Sequence, residues 1–386
     1  MGRVEELVGR CRSIVEDISF QEPRRWKEEA GDAKVVGHFQ AYFPEEIIHA
    51  GGMLPLKVAG GGNKMDTRRA DSRIAGFTCA ICHSSLELGL SGRLSFMDAF
   101  IFTSICDLSR NLGGLWVLNF PDTYARILYL PQNLTSEGSI PFLAFQYRQI
   151  KEDLEEKVLG RPISEDALRQ SIAVYNTNRR LLRQLYDIRR ESPWLISTVE
   201  LYSLMRAGSL MRREEHNRIL EEVVAELPRR EAKPRDKIRV MLEGPFCEQP
   251  PLEFLEVLEE VCYIVDDDLM LGLHWFKEDV KEDGDPYWNL AVAYVVDTDY
   301  TLQQHDERPP GRDARFLAKV KRAKAEAVIL SPAKFCEPAL DEIPIFMKEL
   351  QKEGVLFLNL EFEEKMTSFD QLRTQVETFA EALLFY

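Results

Sequence analysis

Apolar residues in the first third of the chain alternate between short, mostly apolar runs and stretches with helical spacing. The short runs are VVGHF, LPLKVAG, DAFIFTSI and ILYLP, and a predicted helix, PEEIIHAGG, lies between the first two. Fully apolar strands separated by helices are typical of a mostly parallel sheet that is covered on both faces, with right-handed crossovers. We therefore predict an α/β domain over residues 1–150, which would contain Cys79 and Cys106.

The strand pattern disappears between Ile140 and about Leu227, where apolar residues recur at helical spacing. We predict a helical segment over residues 151–235 that ends in a linker containing Pro228 and Pro234. The apolar stripe of this segment consists of Leu168, Ile172, Tyr175, Leu182 and Leu185. Several arginines lie mostly off that stripe, and we favour a solvated face for them over a surface for an anionic ligand or a partner subunit. They are Arg179, Arg180, Arg183, Arg189, Arg190, Arg212 and Arg213.

The α/β pattern returns after Lys237. The predicted elements are the strand IRVMLEG, the helix PLEFLEVLEEV, the strands YIVDD and EAVILSP, a helix through DEIPIFMKELQKEG, the strand VLFLNLEF and a final helix. The last helix is predicted to begin with a capping box formed by Ser368 and Gln371, which are three residues apart. Its inner face would consist of Leu372, Val376, Phe379 and Leu383. The predicted fold class is thus α/β, with two doubly wound, mostly parallel-sheet domains and an intervening helical segment. The C-terminal domain would span residues 236–386 and contain Cys336.

Composition and charge narrow the classes of function. The 386 residues are 45% hydrophobic and carry a formal net charge of -15, so we expect no nucleic acid as partner, because phosphate binding needs a basic face. No stretch approaches the roughly 18 uninterrupted apolar residues that a membrane span requires. The N-terminal sequence MGRVEELVGR has charges where a signal peptide needs an apolar segment. We therefore expect a cytoplasmic protein that has no membrane partner.

The seven cysteines provide the main candidate chemistry. An odd number of cysteines without an export signal argues against a disulfide framework and for reduced thiols, as ligands or core residues. Cys79 and Cys82 open a predicted helix, whereas Cys106 and Cys336 each follow a predicted buried strand. Groups at the carboxyl ends of strands in an open α/β sheet converge on one crevice. We therefore predict an iron-sulfur site, in which three thiolates would hold a cubane cluster and leave one iron open to chemistry.

Other interpretations of these cysteines remain open. Each of them, taken alone, could equally be a packed core side chain, and a lone CxxC also occurs in redox dithiols, in zinc sites and by chance. A thioredoxin-like site is disfavoured by the position of the motif, and no second CxxC completes a structural zinc site. Cys247 has the same topological setting as the candidate ligands but is less favoured. Cys11 and Cys262 lie in apolar helical stretches and are expected in the core.

Weaker candidates have plainer explanations. His83 could donate a proton near the cluster, but a hydrogen-bonded structural or surface histidine is the preferred interpretation. The run Gly60–Gly62, followed by Asn63 and Lys64, lacks the spacing of a phosphate-binding P-loop and predicts a turn after a strand. The three aspartates Asp266–Asp268 are expected to cap or solvate a turn and not to bind a metal.

Several long segments resemble the cluster-bearing subunits of 2-hydroxyacyl-CoA dehydratases and ATP-dependent benzoyl-CoA reductases. They are FPEEIIHAGGMLPLK, CAICHSSLELGLSG, FTSICDLSRNLGGLW, KFCEPALDEIPIF and LNLEFEEKMTSFDQLRTQVETFAEAL, and together they extend over nearly the whole chain. The segments FQAYFPEEIIHAGGMLP and ICHSSLELGLSGRL are most similar to the smaller cluster-bearing subunit of benzoyl-CoA reductases.

The resemblance implies a particular cofactor and particular ligands. Family members work as a pair of similar subunits, each of which holds one 4Fe-4S cluster through three cysteines. Carried over to this sequence, the ligands are Cys79, Cys106 and Cys336. Cys79 is preferred because the family places a basic residue, usually an arginine, four positions after its first ligand, and this position is His83 here. Cys82 remains the alternative to Cys79.

The implied function is that of an iron-sulfur subunit in a hetero-oligomeric oxidoreductase of anaerobic aromatic degradation. Its partners would be a homologous larger cluster subunit, ATP-hydrolysing iron-sulfur activator subunits, ferredoxin as electron donor, and the substrate benzoyl-CoA, which is dearomatised to cyclohexadiene-carboxyl-CoA. ATP would bind only to the activator. The alternatives are a subunit of a 2-hydroxyacyl-CoA dehydratase and a non-catalytic partner for electron relay or structure. Many dehydratase relatives carry a cysteine where this chain has Leu269 and Met270, which favours the reductase branch.

Overall fold

The computed structural model describes residues 2–31, 33–39, 42–244, 249–269, 278–297 and 305–383. Its N-terminal half contains the helices α1 (Arg3–Glu16), α2 (Gln21–Glu29), α3 (Glu45–Ala50), α4 (Arg68–Asp71), α5 (Ala80–Leu90) and α6 (Asp107–Asn119), and the strands β1 (Val35–Phe39), β2 (Leu54–Val58), β3 (Ala99–Thr103) and β4 (Tyr124–Leu128). The four strands form a parallel sheet in the order β2-β1-β3-β4.

The burial of these strands explains where the sequence prediction holds and where it shifts. Every residue of β1, β2 and β3 is buried, as expected for strands covered by helices on both faces. The edge strand β4 is only partly buried over its first four residues. It begins three residues before the predicted run ILYLP, because an edge strand needs no continuous apolar sequence.

Four helices follow the first sheet, as predicted for the middle of the chain. They are α7 (Ser139–Leu154), α8 (Glu165–Glu191), α9 (Thr198–Ala207) and α10 (Arg213–Glu226). The start of α8 is capped by Ser164, whose hydroxyl accepts from the Ala167 amide at 3.1 Å. The predicted apolar stripe of α8 is confirmed, since all five of its residues are buried. No helix among the described residues is long and apolar enough to cross a membrane.

The C-terminal half repeats the same sheet order. Its strands are β5 (Ile238–Glu243), β6 (Cys262–Asp267), β7 (Ala327–Leu330) and β8 (Leu356–Asn359), and they pair in parallel in the order β6-β5-β7-β8. The described helices of this half are α11 (Leu252–Val261), α12 (Pro286–Asp297), α13 (Arg312–Ala323), α14 (Glu337–Leu340), α15 (Ile343–Glu353) and α16 (Asp370–Leu383). The α/β class with two parallel sheets is therefore confirmed, whereas the domain boundaries stay a prediction.

The last helix differs from the prediction at its start. It begins at Asp370, and the amide of Arg373 donates to the carbonyl of Phe369 at 2.9 Å, so Phe369 and not Ser368 precedes the helix. The predicted capping box of Ser368 and Gln371 is therefore wrong. The predicted inner face is confirmed: Leu372 and Val376 are buried, while Phe379 and Leu383 pack partly buried against the main core.

Three of the arginines predicted on a solvated face are buried in ion pairs. Arg179 pairs with Glu46 and Arg213 with Glu45, both on α3. Arg189 pairs with Asp267 at the end of β6. The solvated-face prediction is wrong for these three, because their acidic partners come from elements that are distant in the sequence.

The aspartates at the end of β6 are also buried, so the solvated alternative of their prediction is wrong. The capping alternative holds for Asp267, which accepts from the Leu269 amide at 3.0 Å. Asp266 accepts from Arg190 Nε at 3.0 Å, and Asp268 accepts from Lys319 Nζ at 2.8 Å. The carboxylates thus join the C-terminal sheet to α8 and α13 as parts of ion pairs.

A methyl group added to Gly37 is expected to destabilise the fold. A Cβ there would lie 2.6 Å from Met97 Sδ and 2.7 Å from Phe100 Cδ2, in the buried centre of β1. We expect Gly37→Ala to lower the free energy of unfolding by about 1–3 kcal/mol, measured by urea denaturation. The control is Gly9→Ala in α1, where no atom lies within 4 Å of the new Cβ and where alanine should stabilise by up to about 1 kcal/mol. Equal effects at the two sites would contradict this account.

The buried His216 predicts a loss of stability in mild acid. Its Nε2 donates to the Leu204 carbonyl at 2.9 Å and its Nδ1 accepts from Asn178 at 2.8 Å, so the ring is neutral. Burial and the charge of Arg213 lower the pKa of His216 from 6.5 to about 3. Between pH 6.5 and about pH 3, His216 is therefore protonated in the unfolded chain but not in the folded chain. The free energy of unfolding falls as the pH is lowered through this range.

The measurement is urea unfolding at pH 6.5 and pH 4.5. From this group we expect a decline of about 1.4 kcal/mol per pH unit in the wild-type chain. His216→Gln, whose side chain does not titrate, should show a correspondingly flatter dependence. Identical slopes for the two chains would show that another group causes the acid sensitivity.

Candidate functional site

The three cysteines favoured by the sequence all stand immediately before helices. Cys79 precedes α5, Cys106 precedes α6 and Cys336 precedes the short α14. Cys106 lies three residues after β3, and Cys336 lies six residues after β7. The predicted helix start at Cys79 and the predicted positions of Cys106 and Cys336 after strands are therefore confirmed. Their role as metal ligands stays a prediction.

The order of the strands in each sheet indicates where a ligand-binding crevice would form. In the N-terminal sheet β2 lies on one side of β1 and β3 on the other, so the connections leave in opposite directions between β1 and β3. The C-terminal sheet has the same change of direction between β5 and β7. Ligands of open α/β sheets bind in the crevice that such a reversal opens at the carboxyl ends of the strands. Cys106 and Cys336 each lie after one of the central strands at such a reversal.

The structure brings some of the candidate thiols together. Cys79 Sγ lies 3.8 Å from Cys82 Sγ. Cys106 and Cys336 pack against one hydrophobic core, whereas Cys79 and Cys82 lie in a second one. In the described parts of the chain, however, no three His, Cys, Asp or Glu side chains form a group that could hold a metal ion. Cys247 lies outside the described residues.

The thiols differ in how easily they lose a proton. The contact with the Cys82 thiol lowers the pKa of Cys79 below its ordinary value, against the opposing effect of burial. Burial raises the pKa of Cys106 to about 11, although the Ser109 amide donates to its sulfur at 3.4 Å. Cys79 is therefore the more readily ionised of the two.

Two further cysteines lie in the core, as the sequence suggested. Burial raises the pKa of Cys11 to about 12 and also raises that of Cys262. Cys262 is the first residue of β6 and not part of a helix, and its thiol donates to the Leu258 carbonyl at 2.8 Å. Both are packed side chains with protonated thiols.

The set of donors fits an iron-sulfur cluster in two respects. Thiolates are the ligands that iron-sulfur clusters use in proteins. The free amides at a helix N-terminus stabilise a thiolate, and Cys79 and Cys106 each occupy such a position.

A cavity of about 740 Å³ adjoins Cys106. Its walls combine the aromatic side chains of Tyr129 and Phe142 with the charged side chains of Asp107 and Arg110. These residues come from α6, α7 and the segment after β4, so no local motif in the sequence marks the cavity. Tyr129 and Phe142 are identified as candidates by their exposure in the folded structure, and the sequence alone gives no signal of that exposure.

His83 is held by two polar neighbours. Its Nδ1 lies 2.8 Å from Asp71 Oδ1, and its Nε2 lies 2.9 Å from the hydroxyl of Thr78. That hydroxyl donates to the carbonyl of Ala75 at 2.8 Å. These contacts support the structural interpretation that the sequence favoured, and the alternative of a proton donor stays a prediction.

The comparisons with known proteins agree with the resemblance. The model of the family described as 2-hydroxyglutaryl-CoA dehydratase, D-component, matches residues 40–383, and the chain belongs to this family. It is 38% identical to a benzoyl-CoA reductase subunit from Thauera aromatica, over 98% of both chains. It is 29% identical to the beta subunit of lactoyl-CoA dehydratase from Anaerotignum propionicum, over 99% of this chain and 100% of the relative. It is also 29% identical to the beta subunit of (R)-2-hydroxyglutaryl-CoA dehydratase from Acidaminococcus fermentans, over 92% and 94% of the two chains.

Proposed function

We propose that this chain is an iron-sulfur subunit of an ATP-dependent, ferredoxin-linked benzoyl-CoA reductase, which dearomatises benzoyl-CoA to cyclohexadiene-carboxyl-CoA. The observation that supports this most is the occurrence of three thiols at helix starts, of which Cys106 lines a partly aromatic cavity, in a chain 38% identical to a benzoyl-CoA reductase subunit over 98% of its length.

The proposed ligands of a 4Fe-4S cluster are Cys79, Cys106 and Cys336, with Cys82 as the alternative to Cys79. When bound, such a cluster supplies single electrons at a low potential, which the reduction of an aromatic ring requires. The chain's own residues would hold the substrate near this site and exclude water from it.

The cavity beside Cys106 is the proposed place for the acyl group. Tyr129 and Phe142 offer apolar contacts for a planar aromatic ring. Arg110 places a positive charge at the same cavity. Its existing partner is Asp107, at 2.9 Å on an exposed face, so the guanidinium can be shared with a ligand.

ATP hydrolysis is assigned to a separate activator, with ferredoxin as the electron donor. The turn at Gly60–Gly62 lacks the Lys-Ser/Thr sequence of a phosphate loop. The relatives are named as subunits, which supports a homologous larger cluster subunit as the direct partner of this chain.

A 2-hydroxyacyl-CoA dehydratase subunit is the second candidate function. It is favoured by the description of the matching family and by the two relatives that are 29% identical. A dehydratase regenerates the electron that starts its reaction, whereas a reductase consumes two electrons for each product. Electron stoichiometry therefore separates the two functions.

The experiment begins with the chain purified anaerobically together with its natural partners. Iron and acid-labile sulfide are determined, electron paramagnetic resonance spectra are recorded, and electrons are counted during turnover of benzoyl-CoA with ATP. We expect about four irons per copy of this chain and about two electrons per dienoyl product. Turnover of a 2-hydroxyacyl-CoA without net electron consumption would assign the chain to the dehydratases, and a chain without iron would overturn both assignments.

A further inference from the structure

The glycine turn after β2 encloses a carboxylate from the other half of the chain. The Gly62 amide donates to Glu364 Oε1 at 2.8 Å, and the Ser84 hydroxyl donates to Glu364 Oε2 at 2.6 Å. Glu364 is only 6% exposed. A Cβ on Gly60, where φ is +78°, would overlap with Glu364 Oε1. The turn therefore requires glycine at this position, because the carboxylate fills the space that a side chain would need.

The segment that carries Glu364 also contacts the loop that leads to Cys336. The amide of Phe362 donates to the Pro332 carbonyl at 3.2 Å, and the amide of Lys334 donates to the Phe362 carbonyl at 2.8 Å. This short parallel pairing runs beside residues 332–334, directly before Cys336. This segment is thus hydrogen-bonded to the Cys336 loop through Phe362 and to α5 through Glu364.

Glu364 is hydrogen-bonded to α5, the helix that begins directly after Cys79. Ser84 lies in the second turn of α5, and Gly62 lies in the turn that packs beside it. Two more hydrogen bonds connect the segment that carries Glu364 to the N-terminal half of the chain. Lys365 Nζ donates to Thr67 Oγ1 at 2.8 Å, and the side-chain amide of Asn63 donates to the Met366 carbonyl. Residues 362–366 therefore connect the surroundings of two cysteines that are 257 positions apart in the sequence.

We propose that Glu364 is a positioning residue that fixes α5, and with it Cys79, relative to the Cys336 loop. The significance of that placement rests on the proposed function, in which both cysteines are ligands of one cluster. The backbone amide of a glycine-rich turn binds an anionic oxygen in many phosphate sites, and here the bound oxygen belongs to the chain's own glutamate. The role requires a side chain at position 364 with two polar atoms, one bonded to the Gly62 amide and the other to the Ser84 hydroxyl.

Two substitutions of Glu364 separate hydrogen bonding from charge. Glu364→Ala removes both hydrogen bonds. Glu364→Gln removes the charge but can keep both, because its amide oxygen can accept from Gly62 and its amide nitrogen can donate to the Ser84 oxygen. The Ser84 hydroxyl would then donate to the Ile81 carbonyl, which already lies 3.2 Å away. The matched control is Glu361→Ala, an exposed glutamate of the same segment.

The readout is the rate at which iodoacetamide labels each cysteine in the full-length, reduced chain after iron has been removed with a chelator. Mass spectrometry identifies the labelled sites. We expect Glu364→Ala to label Cys79 about tenfold faster than the wild type, which corresponds to about 1.4 kcal/mol in the opening of α5. Labelling of Cys11, which is buried in α1, should not change. Glu364→Gln should stay within about twofold of the wild type, and Glu361→Ala should match it.

Three outcomes would overturn the proposal. Unchanged labelling of Cys79 in Glu364→Ala would show that the contact does not position α5. Equal acceleration of Cys79 and Cys11 would show a loss of global stability without a local role. Equal effects of the alanine and glutamine substitutions would show that the charge matters and the hydrogen bonds do not.

The iron content of the same variants keeps this test separate from that of the proposed function. If the wild type holds iron, Glu364→Ala should lose it and Glu364→Gln should retain it; full retention by Glu364→Ala contradicts the positioning role. If the wild type holds no iron, the proposed function fails, while the labelling result still decides whether Glu364 positions Cys79.

Discussion

Single replacement of Cys79, Cys106 or Cys336 with serine is expected to abolish most iron binding and to lower the catalytic rate by more than about 100-fold. The hydroxyl of serine is a poor ligand for iron-sulfur clusters, because it is harder than a thiol and keeps its proton at neutral pH. The measurement is iron and acid-labile sulfide per chain, together with the rate of benzoyl-CoA reduction, for the complex purified anaerobically.

The remaining cysteines supply controls of different kinds. Cys11→Ser changes a thiol that is fully buried in α1, so it should affect stability and leave iron binding intact. Cys82→Ser tests the alternative ligand, whose sulfur lies 3.8 Å from that of Cys79. Loss of iron in Cys82→Ser with retention in Cys79→Ser would exchange the two assignments. Retention of full iron in Cys79→Ser, Cys106→Ser and Cys336→Ser would refute the proposed site.

Replacement of Arg189 with alanine is expected to lower the free energy of unfolding by about 3–5 kcal/mol. Arg189 and its partner Asp267 are each 1% exposed, and Asp267 also accepts from the hydroxyl of Tyr186 at 3.1 Å. Without the guanidinium, a carboxylate would be left in the interior without its counter-charge. The measurement is the urea unfolding curve of the variant at neutral pH.

An exposed pair on the same helix provides the matched control. Arg180 Nε lies 2.7 Å from Asp279 Oδ2, and half of the Arg180 side chain is exposed to solvent. We expect Arg180→Ala to change the free energy of unfolding by less than about 1 kcal/mol, because solvent screens such a pair. Similar effects of the two substitutions would contradict the distinction between buried and exposed pairs that the structure implies.

The positions of strands and helices could be predicted because their signal is local. The short, mostly apolar runs of β1, β2 and β3 match strands that are buried on both faces, and the stripe from Leu168 to Leu185 matches the inner face of α8. The predicted positions of Cys106 and Cys336 after strands are correct for the same reason, and both residues also precede helices. The edge strand β4 is displaced by three residues from its predicted position, because its burial depends on the sheet and its own sequence pattern is mixed.

The buried charges could not be predicted from the same patterns. Arg179 and Arg213 resemble solvated helix residues until α3 supplies Glu46 and Glu45. These partners are more than a hundred positions away in the sequence, and an arginine is stable in the interior only when such a partner is present. Solvation of the three aspartates at the end of β6 was a wrong expectation for the same reason, since α8 and α13 provide their cations.

Local sequence patterns were sufficient for the α/β class, the order of the strands along the chain, the turn at Gly60–Gly62 and the four cysteines worth testing, because each of these depends on residues that are near one another in the chain. The contacts that surround those residues were decided by the tertiary structure alone. Folding places Cys79 beside Cys82, builds the cavity next to Cys106 from three separate elements, and fills the glycine turn with Glu364. These contacts join residues that are remote in the chain, and no local pattern of hydrophobic and polar residues encodes them.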